Sequence, residues 1–534
     1  MNVHLLHPDD DLDLKAAPPH HTEALSEDLG LPVLLEVMGA GDRLVGEACR
    51  KVLLSGLQEV AVIRYRQAVL ADVLRAPEAF QRLYEVIVAG LEVAKRSSSG
   101  LFRETPDAIV RRAVERLKVH ADVLRRLRED SSQVRDRMRS VGLTTLFEQF
   151  ASQLDEPYLG EVEALLEELT FRRGVLFSAR LGRGAVGTGH QLRRPRPQGW
   201  LSRSLDRSGE SFELAERDDD GVESLGRLRD QALAEVAAVL GQASDDLEVF
   251  LRQLRDELAV LNGAARLHAA LAERGGPTCW PEVADGRDGH DGPCGHEGHD
   301  GHDEHDGPSD LEGAARAGGG GARPRPELSA TGLYDPALAL QLEGPAVGND
   351  LDADGALLVL ITGANQGGKS TLLRGIGTSQ LLLQAGLFVP AVTFRGSLYG
   401  QVHTHFGREE DPDLRRGKLE EELNRMRAIV ERIRPGDLLL ANESFAATNE
   451  REGSELARQV FRAHLDVGVR VVAVTHLYDL ADSLHRTESD RGVFLRAERE
   501  EDGERTFRIA PGPPLPTSYG QDLYRRIFGE DPSA

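Results

Sequence analysis

Three cysteines in 534 residues, Cys49, Cys279 and Cys294, cannot build a disulfide framework, which leaves a reducing cytoplasm as the expected compartment. No uncharged apolar run approaches the ~20 residues that cross a bilayer, and the mean hydropathy of -0.35 agrees that no membrane span is expected. The first residues, MNVHLLHPDDDLDLK, lack a basic segment followed by an apolar one, so no secretion signal is expected. Aromatic residues make up only 5% of the chain. Positive charge is in deficit, with 64 Lys+Arg against 88 Asp+Glu and a formal net charge of -24. Such a chain cannot coat nucleic acid or anionic membrane with its whole surface, although a local basic patch is still open to it. What the chain has in plenty is length, enough at roughly 100–200 residues per domain for about three units and a sizeable core.

Residues 1–30 are rich in Asp, Pro and His without a sustained period, and read as a disordered arm with order beginning near Leu31. From 31 to 275 the pattern is helix after helix, the signature of a mostly α-helical domain. Val110, Val114, Leu117, Ala121, Leu124 and Leu127 recur at steps of three and four. Val236, Leu240, Ala243, Leu247, Phe250, Leu254, Leu258 and Leu261 repeat the pattern over a rod more than roughly 35 Å long. Two such stripes are expected to bury each other as an antiparallel helical hairpin rather than to await a coiled-coil partner. Between them, residues 172–207 hold nine arginines against one acid, Asp206, among Gly and Pro. That segment is a candidate phosphate-contacting surface, with Arg183, Arg193, Arg194 and Arg196 as DNA candidates. The alternative is pairing with acidic neighbours such as Glu161 to Glu168. Residues 276–326 are a low-complexity insert, in which His290, His296, His299, His302 and His305 lie near Cys294. Imidazole and thiolate suit Zn²⁺ or Ni²⁺, but the Gly/Asp spacing offers no preformed cage, so a flexible insert with adventitious metal affinity is the expectation.

Chemistry concentrates in residues 327–534. The run LLVLIT over 357–362 reads as a buried parallel strand. Gly363-Ala364-Asn365-Gln366-Gly367-Gly368-Lys369-Ser370 follows at once and fits G-x-x-x-x-G-K-[ST]. Glycines let backbone N–H groups curl round an anion, Lys369 reaches the β- and γ-phosphates, and the Ser370 hydroxyl is placed for Mg²⁺. The helix from Ser370 to about Ala385, with Thr371 in its first turn as a further nucleotide-binding candidate, aims its positive end at the same phosphates. A second buried strand, Leu438–Ala441, runs into Asn442-Glu443, where P-loop ATPases normally carry Asp-Glu. Glu443 is the candidate that orients or deprotonates the attacking water, and the uncharged Asn442 a weaker helper for Mg²⁺. A third strand, Val471–Val474, ends in Thr475-His476, where a histidine can sense a γ-phosphate.

These segments resemble the MutS family of DNA mismatch-repair ATPases, within the wider ABC-type group. The matching stretches are TGANQGGKSTLLRGIG, LLLQAGLFVPA, LLLANESFAATNEREGSELA, VVAVTHLYDLADSL and FRIAPGPPLPTSYGQDLYRRIFG. The loop matches at Asn365 and Gly367 to Ser370, and Gly386 to Ala391 match a turn typical of the family. EVAVIRYRQAVLADVL and AVLNGAARLHAAL look more weakly like its core and lever helices. Departures are as plain. TGLYDPALALQLEGPAVGNDL looks like the strand and turn that carry the family's nucleotide base site, but Asp335-Pro336 replaces the usual His-Pro. Gly417-Lys418-Leu419 stands in for the trans-acting Ser-Thr-Phe segment, and Phe445-Ala446-Ala447 for a Gly-rich turn. No mismatch-reading domain is expected before the helical region and no nuclease extension after the head. Phe102-Arg103-Glu104 matches the mispair wedge by letters only.

The resemblance implies an α/β P-loop ATPase head of the ABC-like kind, joined to a mostly α-helical core and lever domain. It implies a homodimer with composite ATP sites, with Lys418 and Asn449 as candidates for contacts across it. On that reading Lys369, Glu443 and His476 act on ATP, Mg²⁺ sits by Ser370 and Asn442, and head closure moves levers that grip mismatched, branched or otherwise non-standard DNA. The rival is an ATP-gated switch with little hydrolysis that grips a protein partner. A P-loop kinase is disfavoured, since no acceptor-site pattern is visible.

Overall fold

The computed structural model describes residues 1–16, 22–97, 105–172, 174–185, 187–194, 218–284, 325–363, 366–407, 417–499 and 505–516. Its described residues divide into two compact units. In chain order the first helices are α1 (Thr22–Asp28), α2 (Leu31–Gly39), α3 (Arg43–Leu54) and α4 (Val60–Arg75). Next come α5 (Pro77–Ser97), α6 (Pro106–Val134), α7 (Val141–Gln153), α8 (Glu156–Glu168), a hairpin of β1 (Phe177–Leu181) and β2 (Gly187–Leu192), and the 55-residue α9 (Asp219–Glu273).

One unit comprises residues 1–16, 42–48 and 68–265 and is almost wholly helical. Thr105 caps α6 by accepting from the Ala108 N–H, and Asp155 caps α8 in the same way through Tyr158. The stripe on α6 is buried as its period predicts, with Val110, Val114, Ala121, Leu124 and Leu127 inside. Val110 and Val114 pack against Leu233 and Ala237 of α9. The antiparallel expectation, however, is corrected. Asp107 pairs with Arg229, and Arg116 with Asp245 and Glu248, so residue numbers rise together and the two helices run in the same sense along their contact. A stripe specifies which face is buried but carries no direction, and α5 supplies the other neighbour, Gly90 lying where a Cβ would come 2.2 Å from Val123.

The disordered-arm expectation also fails for the described residues of that stretch, 1–16 and 22–30. Leu5 and Leu6 are buried, and their N–H groups donate to the buried Glu257 carboxylate at 2.6 and 3.2 Å; Thr22–Asp28 is helical. A pair of leucines inside an acidic, proline-bearing stretch is too short to show a period, yet two leucines and a buried carboxylate that needs donors suffice to seat it. A comparable anchor is Asp72, 1% exposed, whose Oδ2 accepts the N–H groups of Arg139 and Ser140 at 2.8 and 2.7 Å while Oδ1 pairs with Arg75. Asp72→Ala strands two N–H donors at the start of α7 and should cost about 3 kcal/mol, read as a lower urea midpoint at unchanged slope. Asp72→Asn, which keeps an acceptor, should recover part of it; equal midpoints for both variants would refute the anchor.

The other unit comprises residues 17–41, 49–67 and 266–534. It adds β3 (Glu282–Val283), β4 (Leu328–Leu333), α10 (Pro336–Gln341), β5 (Asn349–Asp352), β6 (Leu358–Thr362), α11 (Lys369–Gln384), β7 (Thr393–Gly396) and β8 (Val402–Phe406). After these come α12 (Lys418–Val430), β9 (Leu438–Asn442), α13 (Glu450–Asp466), β10 (Arg470–Val474), α14 (Tyr478–Thr487), β11 (Gly492–Arg499) and β12 (Arg505–Pro511). Six strands form one sheet in the order β12-β11-β6-β10-β9-β8, parallel except for β12. A second sheet has the order β3-β7-β4-β5. Alternate residues of the large sheet, Leu358, Leu360, Leu439, Ala441, Val471 and Ala473, meet α13 and α14 through Phe461, Leu465, Leu480 and Leu484. Helix α11 packs against β9 and β10, and burial on both faces explains why these strands read as continuous apolar runs. The unit is mixed α/β, as the sequence implies.

Candidate functional site

The register of the large sheet decides which residues meet. Val474 pairs with Ile361 on one side and with Asn442 on the other, so β6, β9 and β10 end level with one another. The next residues of each strand, Gly363, Glu443 and Thr475-His476, therefore emerge at one carboxyl edge, the place where parallel sheets bind ligands.

The loop between β6 and α11 needs its glycines. Gly363 has φ +117, and a Cβ there would come 2.9 Å from the Ala497 Cβ; Gly368 has φ +88 and would put a Cβ 3.1 Å from the Phe507 carbonyl oxygen. Gln366 also adopts a left-handed φ of 62. Gly368 is the N-cap of α11 and has no side chain to satisfy the first N–H groups of that helix, which leaves them to an anion. Lys369 is buried and its Nζ donates to the Gly363 carbonyl at 2.8 Å, so the ammonium is held at the loop's mouth. Burial pushes its pKa down, against an opposing pull from the Glu443 carboxylate.

Ser370 Oγ donates to Asn442 Oδ1 at 2.8 Å, which joins the two candidate Mg²⁺ residues across the edge. Both contribute oxygen, the donor type that Mg²⁺ takes, so the pair fits the cation in a mixed protein, water and phosphate shell. Beside them, Glu443 Oε2 accepts the His476 backbone N–H at 3.1 Å and a shorter bond from His476 Nδ1. Burial would raise the Glu443 carboxyl, but the bonds and charge of His476, then the charge of Lys369, outweigh it and hold the pKa below its ordinary 4.5. The Glu443 bond conversely lifts His476 above its ordinary 6.5 against the effect of burial. Glu443's part of the pair's stability is present above 4.5 and lost as pH falls through its depressed pKa. That of His476 is full below 6.5 and lost as pH rises through its raised one. Glu443 and Phe445 both hold left-handed φ values, 52 and 61, a conformation that costs a residue with a Cβ roughly 1–2 kcal/mol.

A pocket of about 480 Å³ opens on this edge, lined by Gln366 to Thr371, Glu443, Asn349, Phe507 and an apolar wall of Leu338, Leu342, Pro345 and Val347. Its volume and its division into an apolar wall and a phosphate-binding floor suit a nucleoside triphosphate. Leu338, Leu342, Pro345, Val347 and Asn349 all lie in TGLYDPALALQLEGPAVGNDL, where the resemblance put the base site, whereas Phe507 was not foreseen from the sequence. Asn349 ties the wall together, donating to the Phe507 carbonyl at 3.2 Å and accepting the Ile509 N–H at 2.7 Å. The partly exposed Phe507 ring, on a residue with φ 56, lines the pocket. Asp335 is the buried N-cap of α10, accepting from Ala337 and Leu338 and paired with Arg374 at 3.2 Å.

The structure thus brings together Gly363, Gln366, Gly367, Gly368, Lys369, Ser370, Thr371, Asn442, Glu443 and His476. Phe102-Arg103-Glu104, Ala364, Asn365, Arg196, the His-rich stretch and Ser518-Tyr519-Gly520 lie outside the described residues. Asn449 caps α13, accepting from the Glu452 N–H at 3.0 Å. Lys418 is exposed at the start of α12. In the other unit, Arg183 sits exposed in the turn of the β1–β2 hairpin and Arg193 bonds Ser178 and Gln191, whereas Arg194 pairs with Glu168. For Arg194, pairing with an acidic helix is what the structure contains.

Comparison with known proteins finds two family matches along the chain. The family of the MutS2 N-terminal domain matches residues 58–274, and that of MutS domain V residues 359–523. An endonuclease MutS2 of Carboxydothermus hydrogenoformans is 33% identical over 158 residues, 29% of this chain and 20% of that protein. A DNA mismatch repair protein MutS of Chloroflexus aurantiacus is 30% identical over 184 residues, 33% of this chain and 19% of the relative. An endonuclease MutS2 of Thermus thermophilus is 29% identical over 170 residues, 32% of this chain and 23% of the relative. The matched stretch spans about a fifth of the length of these relatives.

Proposed function

We propose, on the premise that the chain belongs to the MutS family, that it binds and hydrolyses ATP and couples this to gripping DNA. The DNA is mismatched, branched or otherwise non-standard, and the setting is repair or recombination. The observation that carries the proposal is the meeting of a glycine phosphate loop, the Ser370–Asn442 pair and the Glu443–His476 pair at one sheet edge. Backbone N–H groups at the start of α11 and the Lys369 ammonium take the phosphates. Mg²⁺, held through Ser370 and Asn442, would neutralise charge on the phosphate oxygens. Both bonds to Glu443 fall on Oε2, so Oε1 is the oxygen that takes the attacking water and its proton. The left-handed backbone at Glu443 keeps that carboxylate at the end of its strand. Asn442 brings no charge to the cation, which favours slow turnover. The same observation supports a second reading, an ATP-gated switch with little hydrolysis that grips a protein.

The proposal extends to a homodimer with composite ATP sites, in which Lys418 and Asn449 approach the partner's nucleotide, and to a cytoplasmic chain without membrane attachment. Among the described residues no helix is long and apolar enough to cross a membrane.

A panel of duplex, mispaired, branched and single-stranded DNA, with and without ATP, tests the DNA assignment by gel shift. Arg183→Glu combined with Arg193→Glu should weaken binding across sequences and flatten the salt dependence by about one unit of slope for each phosphate no longer neutralised. An unchanged slope would remove the hairpin from the DNA surface. No binding to any member of the panel would leave the protein-gripping reading.

A further inference from the structure

Behind the Glu443 turn lies a buried cluster that neither the phosphate loop nor the nucleotide pocket uses. His405 sits on β8 with no exposure at all, its ring 5.4 Å from that of Phe445. Its Nε2 is 3.0 Å from the Glu422 carbonyl oxygen of α12, and its Nδ1 2.7 Å from Ser444 Oγ. A carbonyl oxygen can only accept, so Nε2 carries the hydrogen. Burial pushes the ring's pKa down to about 4, the ring is neutral at physiological pH, and Nδ1 accepts from the Ser444 hydroxyl. Ser444 Oγ also lies 3.1 Å from the His405 carbonyl oxygen, so both acceptors within its reach here belong to this one residue of β8. From the other side, the Glu422 carboxylate, itself buried, faces the Phe445 N–H, which draws its pKa down against the raising effect of burial. One residue of α12 thus reaches both Ser444, through His405, and Phe445 directly. Glu443 and Phe445 flank Ser444 and are the two residues of the turn in left-handed backbone. Backbone of this kind persists only where its surroundings over-determine it, and His405 and Glu422 add to the bonds that Glu443 makes with His476 and with the Val474 carbonyl.

We infer that His405 and Glu422 are positioning residues that clamp the strained Glu443–Phe445 turn and make the placement of the catalytic carboxylate depend on the seating of α12. The inference rests on the ATPase reading for its consequence, but not for its test. Movement of α12 shifts Ser444 and Phe445, and the Glu443 carboxylate next to them leaves His476. Nucleotide affinity is untouched, because neither residue lines the pocket of about 480 Å³.

The direct readout is the titration midpoint of His476, followed by NMR in the nucleotide-free chain, since the Glu443 bond is the first cause that holds it up. His405→Gln keeps a donor for the Glu422 carbonyl but removes the ring nitrogen 2.7 Å from Ser444 Oγ, leaving that hydroxyl the backbone carbonyl of residue 405. Ser444→Ala removes only a hydroxyl, and serves should His405→Gln not fold. Glu422→Leu removes the acceptor for the Phe445 N–H, whereas Glu422→Gln restores one. The clamp predicts a His476 midpoint falling toward its ordinary value in the first three variants and staying near wild type in Glu422→Gln. In a wild type that turns over ATP, kcat falls about tenfold in step with KM unchanged. A midpoint unmoved in folded Ser444→Ala and Glu422→Leu overturns the clamp. Absence of turnover in the wild type overturns the ATPase reading alone, since the midpoint still decides the clamp.

Discussion

Glu443→Gln is expected to lower ATP turnover by about 10²–10⁴-fold while the chain still binds ATP. The substitution keeps the volume of the side chain and an oxygen to accept the His476 bonds, but removes the base. Glu443 is the group at the sheet edge suited to that task, because His476 and Lys369 hold its pKa below 4.5 and so keep it ionised across the physiological range. Lys369 cannot act as the base while its ammonium is bonded to Gly363, and Asn442 is neutral and occupied by Ser370. Single-turnover hydrolysis and equilibrium binding of a slowly hydrolysed analogue separate the two steps. Turnover within about threefold of wild type would sink the assignment of Glu443. Tight binding with negligible turnover in the wild type itself would select the switch reading, and the cause would then be sought at Asn442.

The head of the protein was legible where chemistry dictates residue types at fixed spacing. A phosphate loop must have its glycines, lysine and hydroxyl in order after a strand, so Gly363 to Ser370 could be read without any fold in hand. Glu443 and His476 were legible because both follow short apolar runs, and the parallel register then sets Ile361, Asn442 and Val474 level. The part that Phe507 plays in the pocket was not legible for the opposite reason. Asn349 and Phe507 stand 158 residues apart on strands of different sheets and meet through a side-chain bond to a backbone carbonyl, which leaves no local pattern.

The helical unit shows the same limit in another form. Period identified the buried stripe on α6 and the existence of α9, yet the sense of their contact depends on Asp107, Arg116 and their partners, which look like ordinary surface charges in the sequence. Histidines in the strand VHTHF break its apolar pattern, so neither the strand β8 nor the role of His405 could be read from composition. Buried polar residues are illegible until their partners are placed, because a lone histidine in a sequence carries no sign of what will satisfy it.

Lys369→Met is expected to weaken ATP binding by about 2–3 kcal/mol, the usual worth of a charge-assisted hydrogen bond to an anion, which is roughly a hundredfold in Kd. Met preserves most of the aliphatic stem in a site where the lysine is only 5% exposed, so packing is kept and only the charged head is lost. Burial already disfavours that charge, and in the nucleotide-free chain it is compensated by the Gly363 carbonyl and the nearby Glu443 carboxylate. Removing it should therefore leave thermal stability without nucleotide close to wild type, while the stabilisation added by saturating ATP largely disappears. Calorimetric titration gives the affinity, and melting with and without ATP gives the linkage. A variant that melts several degrees lower without nucleotide and binds ATP as tightly as wild type would mean that Lys369 is a structural tie across the loop rather than a phosphate ligand. The reverse pattern, intact stability with lost affinity, is the one that a phosphate-binding lysine requires.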